Sequence, residues 1–140
     1  MGKQVFLDTN ILIYAFAEND ERLEIAEHLV NEGATVSIQI LNEVVNTLRR
    51  KFGFDWRRIE GTIESILITC PDPLPLTLDT HRSAMRLCER YGFALYDALI
   101  VASALEGGCA KLYTEDLHHG QIVDGLRIEN PFRGLSPSVP

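Results

Sequence analysis

The run Ala98-Leu99-Ile100-Val101-Ala102-Ser103-Ala104-Leu105, followed at Lys111-Leu112-Tyr113-Thr114 by a second apolar stretch, decides the fold class. Residues 98–105 are apolar on nearly every side, which predicts a helix buried all round rather than one with a wet face. The shorter stretch predicts a strand, with the acids Glu115 and Asp116 at its C-terminal end.

The same pairing of strand and acid recurs at the other end of the chain. Val5-Phe6-Leu7 suits a buried strand, and Asp8 follows it. Asn10 or Thr9 is placed to cap a helix through Ile11, Leu12, Tyr14, Ala15 and Phe16. A second helix over 22–31 ends near Gly33, and a β-type segment over 34–38 follows. Apolar residues at Ile38, Leu41, Val44, Val45 and Leu48 predict the next helix, and Asp55 caps another running toward Leu67. The prolines of Cys70-Pro71-Asp72-Pro73-Leu74-Pro75 fit neither a helix interior nor a central strand, so that stretch is an irregular connection. A helix from about 79 to 91 stops at Gly92. Strands alternating with helices imply an α/β fold with a parallel sheet and helices on both faces. In such sheets ligands bind beyond the strands' C-terminal ends, which puts Asp8 and Asp116 at one edge if their strands are neighbours.

With 140 residues, the chain has the length of one domain. Hydrophobic residues at 46% and charged residues at 24% are ordinary for a globular protein. No apolar run approaches the roughly 20 residues of a membrane span, and Met1-Gly2-Lys3-Gln4 leads straight into the first strand, so a cytoplasmic protein without a signal peptide is expected. Cys70, Cys88 and Cys109 are odd in number and scattered, which predicts reduced, buried thiols rather than a disulfide or zinc framework. One folded domain is expected over 1–133, with a disordered tail over 134–140. The net charge of −7 argues against a polyanionic partner unless some acids hold cations, which would reverse the local sign.

Four acids stand out, each with a plainer reading beside it. Asp8 serves equally well as an ordinary helix cap. Asp97 lies in the first turn of the buried helix, where desolvation of an unpaired charge costs several kcal/mol and the helix dipole returns only about 0.3–1, so a cation is expected beside it. Glu43 shares a face with Gln39, Asn42 and Asn46, opposite the apolar stripe, and periodicity alone makes it solvated surface. Glu115 and Asp116 are adjacent, and sequence physics does not choose between them. Gathered carboxylates repel unless cations compensate, and an oxygen-only donor set suits Mg2+ or Mn2+. Such ions acidify water and stabilise a phosphodiester under in-line attack.

Phe6-Leu7-Asp8-Thr9-Asn10-Ile11-Leu12, Ser37-Ile38-Gln39-Ile40-Leu41-Asn42-Glu43, Tyr96-Asp97-Ala98-Leu99-Ile100-Val101-Ala102-Ser103-Ala104 and Leu112-Tyr113-Thr114-Glu115-Asp116-Leu117 resemble the four signature blocks of PIN-domain ribonucleases. Within that family the chain most resembles the VapC toxins of toxin–antitoxin pairs, over nearly its whole length. The resemblance implies a three-layer α/β/α sandwich and a Mg2+- or Mn2+-dependent endoribonuclease. It implies that Asp8, Glu43, Asp97 and Asp116 bind the metal, with Asn10 and Thr114 orienting acids or water. A homodimer and a VapB-type antitoxin are implied as well. To His118 and His119 it assigns no chemistry.

RNA would have to be held by local basic clusters. Arg82, Arg86 and Arg90 recur every four residues along one helix face and are candidate phosphate contacts, although a solvated face explains them too. Arg49-Arg50-Lys51 and Arg57-Arg58 bracket Gly53, and Trp56 is a candidate for base stacking or plain packing. A phosphatase of the haloacid dehalogenase type would need an aspartate where Asn10 stands. A flap-endonuclease-like enzyme would need further helices. The remaining alternative is a PIN fold kept as a catalytically inactive RNA- or protein-binding module.

Overall fold

The structure, a computed structural model, describes residues 4–17 and 20–135. The elements in order are β1 (Val5–Leu7), α1 (Thr9–Phe16), α2 (Leu23–Asn31), α3 (Ile38–Arg50), α4 (Trp56–Thr69), α5 (Leu78–Tyr91), α6 (Leu95–Glu106), β2 (Lys111–Tyr113), β3 (Ile122–Val123) and β4 (Leu126–Glu129). The sheet order is β1-β2-β4-β3, with β1, β2 and β4 parallel and β3 antiparallel beside β4. Helices α5 and α6 pack on each other, α6 lies on β2, and α3 touches α1, α4 and α6, which gives the three-layer α/β/α sandwich.

Helix starts follow local chemistry. The Ser37 hydroxyl accepts from the Ile40 amide, Asp55 accepts from the Arg58 amide, and Thr77 and Thr80 form a reciprocal box that opens α5. Gly92 ends α5 at φ 77, in the left-handed region that suits glycine. The cap of α1 is Asp8 rather than Asn10 or Thr9: its carboxylate accepts from the Thr9 amide at 2.7 Å. This is the plainer of its two sequence readings, and it does not compete with the other, because the second carboxylate oxygen is directed elsewhere.

A further expectation is corrected. Residues 34–38 do not form a strand. Thr35 bridges to Phe6 and Ser37 to Leu74, so the segment passes from one partner to another before either ladder can extend. The hairpin of β3 and β4, not anticipated from sequence, turns at Asp124 and Gly125, whose φ values of 49 and 90 suit an Asp-Gly hairpin turn. It completes the sheet beside β2.

Phe6, Leu7, Leu112 and Ile128 from the sheet are fully buried, with Ile11, Leu12, Ile40 and Val101 from the helices. Helix α6 is buried along Ala98 to Ala104, as its composition requires. Cys70, Cys88 and Cys109 are free, and burial pushes the Cys109 thiol up to about 11. Of the expected tail, Gly134 and Leu135 are described: Leu135 packs against the core and its amide donates to the Phe132 carbonyl. Residues 136–140 of that tail, and Met1, Gly2 and Lys3 before the first strand, lie outside the described residues. Among the described residues no helix is long and apolar enough to cross a membrane.

Candidate active site

Parallel pairing of β1 with β2 sets their C-terminal ends side by side, with Leu7 opposite Tyr113. The Asp8 amide donates to the Tyr113 carbonyl at 3.0 Å, and the Thr114 amide to the Glu129 carbonyl of β4 at 3.0 Å. Three strands therefore end together, and the chain leaves two of them at Asp8 and at Thr114-Glu115-Asp116. Helix α3 adds Glu43 from its middle, and α6 adds Asp97 from its first turn.

Asp8, Glu43, Asp97 and Asp116 line one hollow of about 280 Å3, together with Thr9, Asn10, Ile13, Tyr14, Thr47, Lys51, Tyr96 and Ile100. Their environments differ. Asp8 is buried, Glu43 and Asp97 are half-buried, and Asp116 is exposed. Both Asp8 oxygens are fixed, one by the Thr9 amide and one by the Thr114 hydroxyl at 2.6 Å. Thr114 in turn accepts from the Asp116 amide at 3.1 Å. The Asn10 side chain donates to Asp116 Oδ2 at 3.0 Å and accepts from the Glu115 amide at 3.4 Å. Glu43 takes a bond on each oxygen, from the Thr9 hydroxyl at 3.0 Å and from Gln39 Nε2 at 2.9 Å. Sequence periodicity placed Glu43 and Gln39 on a wet face, whereas Gln39 is in fact buried.

Glu115 and Asp116 part company here. Glu115 turns away from the hollow to the buried Arg22 guanidinium, Nε to Oε2 at 2.8 Å, and accepts from the Tyr14 hydroxyl at 2.7 Å. Asp116 faces the hollow. The Arg22–Glu115 pair, like that of Thr9 with Glu43, is a contact that no spacing rule reveals, because its members are far apart in sequence, whereas Gln39 and Glu43 meet at the ordinary i,i+4 helical spacing.

The electrostatics are those of concentrated negative charge. Burial pushes the Asp8 carboxyl up to about 7, against the Thr114 and Thr9 bonds that lower it, with smaller repulsion from Asp116 and Glu43. Burial likewise raises Asp97, again with repulsion from Asp116 and Glu43. Among the described residues, none of the four has a Lys, Arg or His partner at ion-pair distance. Lys51, at the hollow's edge, is the basic residue of its lining. Carboxylates without cationic partners, and a donor set without His or Cys, fit a hard divalent cation. Among the described residues, however, no three Asp, Glu, His or Cys side chains are drawn closely enough together to enclose an ion.

The arginine stripe on α5 is exposed but lies apart from this hollow. Arg86 and Arg90 line another recess with Glu89, Glu106 and Asp124, and Arg90 pairs with Asp124 at 3.6 Å. Arg49 stands over the Trp56 ring at 5.2 Å, so that ring serves at least in packing. The His119 ring accepts from the Asn130 amide at 3.0 Å, and His118 is exposed.

The sequence profile of the PIN domain matches residues 5–124. The chain belongs to the PIN-domain family. Solved structures with the same fold include a toxin–antitoxin complex from Klebsiella pneumoniae, 20% identical, TM-score 0.71, covering 92% of this PIN domain chain and 98% of that one. Another is VapC20 of Mycobacterium tuberculosis, a toxin that cleaves the sarcin–ricin loop, 20% identical, TM-score 0.67, covering 81% of this chain and 92% of its own. A third is DNA-bound VapBC from Salmonella typhimurium, 19% identical, TM-score 0.67, with 93% and 99% covered. No curated protein sequence matches this PIN domain.

Proposed function

We propose that this PIN domain is a Mg2+- or Mn2+-dependent endoribonuclease, the toxin of a toxin–antitoxin pair. The observation that carries the reading is the gathering of Asp8, Glu43, Asp97 and Asp116, from four separate elements, around one hollow with no basic partner at ion-pair distance among the described residues. These four would hold the cation. Thr114 fixes Asp8, Asn10 fixes Asp116, and Gln39 and Thr9 fix Glu43, so the donor oxygens are oriented before a cation arrives. When bound, the cation supplies Lewis acidity, acidifying a water and stabilising charge on the phosphodiester. Lys51 is positioned to meet a substrate phosphate at the rim. Arg82, Arg86 and Arg90 remain a secondary candidate surface for RNA, since they are exposed but flank a different recess.

The similar solved structures include toxin–antitoxin complexes, which supports a VapB-type antitoxin as protein partner; a homodimer is part of the proposal through the family resemblance alone. A second reading, a catalytically inactive PIN module that binds RNA or protein, is favoured by one observation: the carboxylates do not close into a cage. One experiment separates the two. Purified protein is incubated with RNA with Mn2+ and with a chelator, and Asp97→Asn serves as the control for contaminating nuclease. Cleavage that needs the ion and disappears in Asp97→Asn supports the enzyme. Binding without cleavage under every condition supports the module.

A further inference from the structure

We propose that Arg22 is a positioning residue of the acid site, holding Glu115 aside so that Asp116 alone enters the hollow. The inference rests on the cation reading of the four acids. Arg22 sits before α2, distant in sequence from Glu43, Asp97 and Asp116, yet its side chain is 4% exposed. A guanidinium so deeply buried needs several compensating contacts, and the structure supplies them. Nε meets Glu115 Oε2 at 2.8 Å and Nη1 meets Asp20 Oδ1 at 3.1 Å. The guanidinium carbon stands 5.5 Å from the Tyr14 ring centre and 5.7 Å from that of Phe132.

Tyr14 connects this cluster to the site. It lines the acid hollow, and its hydroxyl donates to Glu115 Oε1 at 2.7 Å. Both oxygens of Glu115 are therefore engaged, and Glu115 does not line the hollow. The next residue, Asp116, is held by Thr114 through its amide and by Asn10 through its carboxylate, facing the hollow.

Two adjacent acids in an irregular segment have no strand pleat to force them apart. What separates them here is the cation behind Glu115. Released, the Glu115 carboxylate would join four others that lack basic partners among the described residues, and its repulsion would fall first on its neighbour Asp116. Lysine is a poor substitute, because the contacts use a planar group packed against a pair of touching rings, with donors on separate edges.

The test is calorimetric titration of Mn2+ into the full chain, with a thermal melt of every variant. Arg22→Met is expected to weaken Mn2+ binding about tenfold, and the double variant Arg22→Met/Glu115→Gln to recover it to within about threefold. Both have lost the same ion pair, and a purely stabilising role predicts that Mn2+ affinity follows the melting temperature across the variants and does not track the charge of residue 115. Unchanged Mn2+ affinity in folded Arg22→Met, or no recovery in the double variant, overturns the proposal. Should Arg22→Met fail to fold, Tyr14→Phe decides it: the ring stays against the guanidinium and the hydroxyl's donation to Glu115 is lost. Mn2+ binding about threefold weaker supports the proposal, and unchanged binding overturns it. If the unaltered protein binds no Mn2+, the cation reading of the site fails as well, a result distinct from any difference among the variants.

Discussion

The Thr114 hydroxyl donates to the Asp8 carboxylate at 2.6 Å across the junction where two parallel strands end. The same oxygen accepts the Asp116 amide. One side chain thus fixes an acid from β1 and the backbone that carries an acid after β2. Thr114→Val keeps the shape and removes both bonds. With Asp8 and Thr114 both buried, the expected cost is about 1–3 kcal/mol of stability, together with a loss of about 10-fold or more in ion-dependent cleavage. Thr114→Ser should retain most of both. Thermal melts and RNA cleavage at fixed Mn2+ check this, and full activity in Thr114→Val would remove Thr114 from the site.

The Asp8 carboxyl predicts how pH and cations act on stability. Its folded value of about 7 lies above the ordinary 3.8, so between these the folded chain keeps a proton that the unfolded chain releases. Metal-free stability therefore falls as pH rises through that window and stays at its lowered level above it. Asp97, raised for the same leading cause, adds in the same direction. A divalent cation competes with the Asp8 proton, so millimolar Mg2+ should raise the melting temperature by several degrees at pH 8 and little at pH 5. Asp8→Asn should stabilise the metal-free protein at pH 8 and abolish the Mg2+ effect. Equal Mg2+ effects at both pH values would contradict this account.

Sequence reached the elements that carry strong periodicity. The buried helix at Leu95–Glu106, the strands at Val5–Leu7 and Lys111–Tyr113, and the stop at Gly92 follow from composition and local turn chemistry. What it did not reach depends on partners distant along the chain. Residues 34–38 carry β-type side chains but find only single bridges, because pairing is decided by what lies alongside. Glu43 was assigned to a wet face because helix period describes only the helix itself. Its surroundings are made by Thr9 from α1 and by the buried Gln39. Likewise Glu115 meets Arg22, 93 residues away, while Asp116 lines the hollow, a difference that no local pattern states.

The Asp124-Gly125 pair is itself a hairpin-turn signal, and it yields a prediction of its own. Ile122-Val123 and Leu126-Arg127-Ile128 flank a two-residue turn, but the strands are too short for a convincing alternation. Gly125 has φ 90, a region that costs an L-residue roughly 1–2 kcal/mol, and no atom lies within 4 Å of where a Cβ would go. Gly125→Ala should therefore lower stability by about 1 kcal/mol through backbone strain alone, without clash. Because the turn contributes no residue to the hollow, Mn2+ affinity should not change. Denaturant unfolding and Mn2+ titration of the same sample check both halves.

Gln39 separates orientation from stability most cleanly. Its Nε2 donates to Glu43 Oε2 from one turn earlier on α3, while Thr9 holds Oε1. Gln39→Leu leaves a side chain of similar bulk in a buried position, so stability should change by less than about 1.5 kcal/mol. The freed Glu43 oxygen can then follow solvent, since Glu43 is only half-buried and a single bond from Thr9 does not fix a side chain of this length. Mn2+ affinity should fall about tenfold, and further when combined with Thr9→Val. Calorimetry reads the first quantity and a thermal melt the second. A Gln39→Leu protein that binds Mn2+ as tightly as the original would mean that Glu43 needs no orientation by α3 or takes no part in holding the ion.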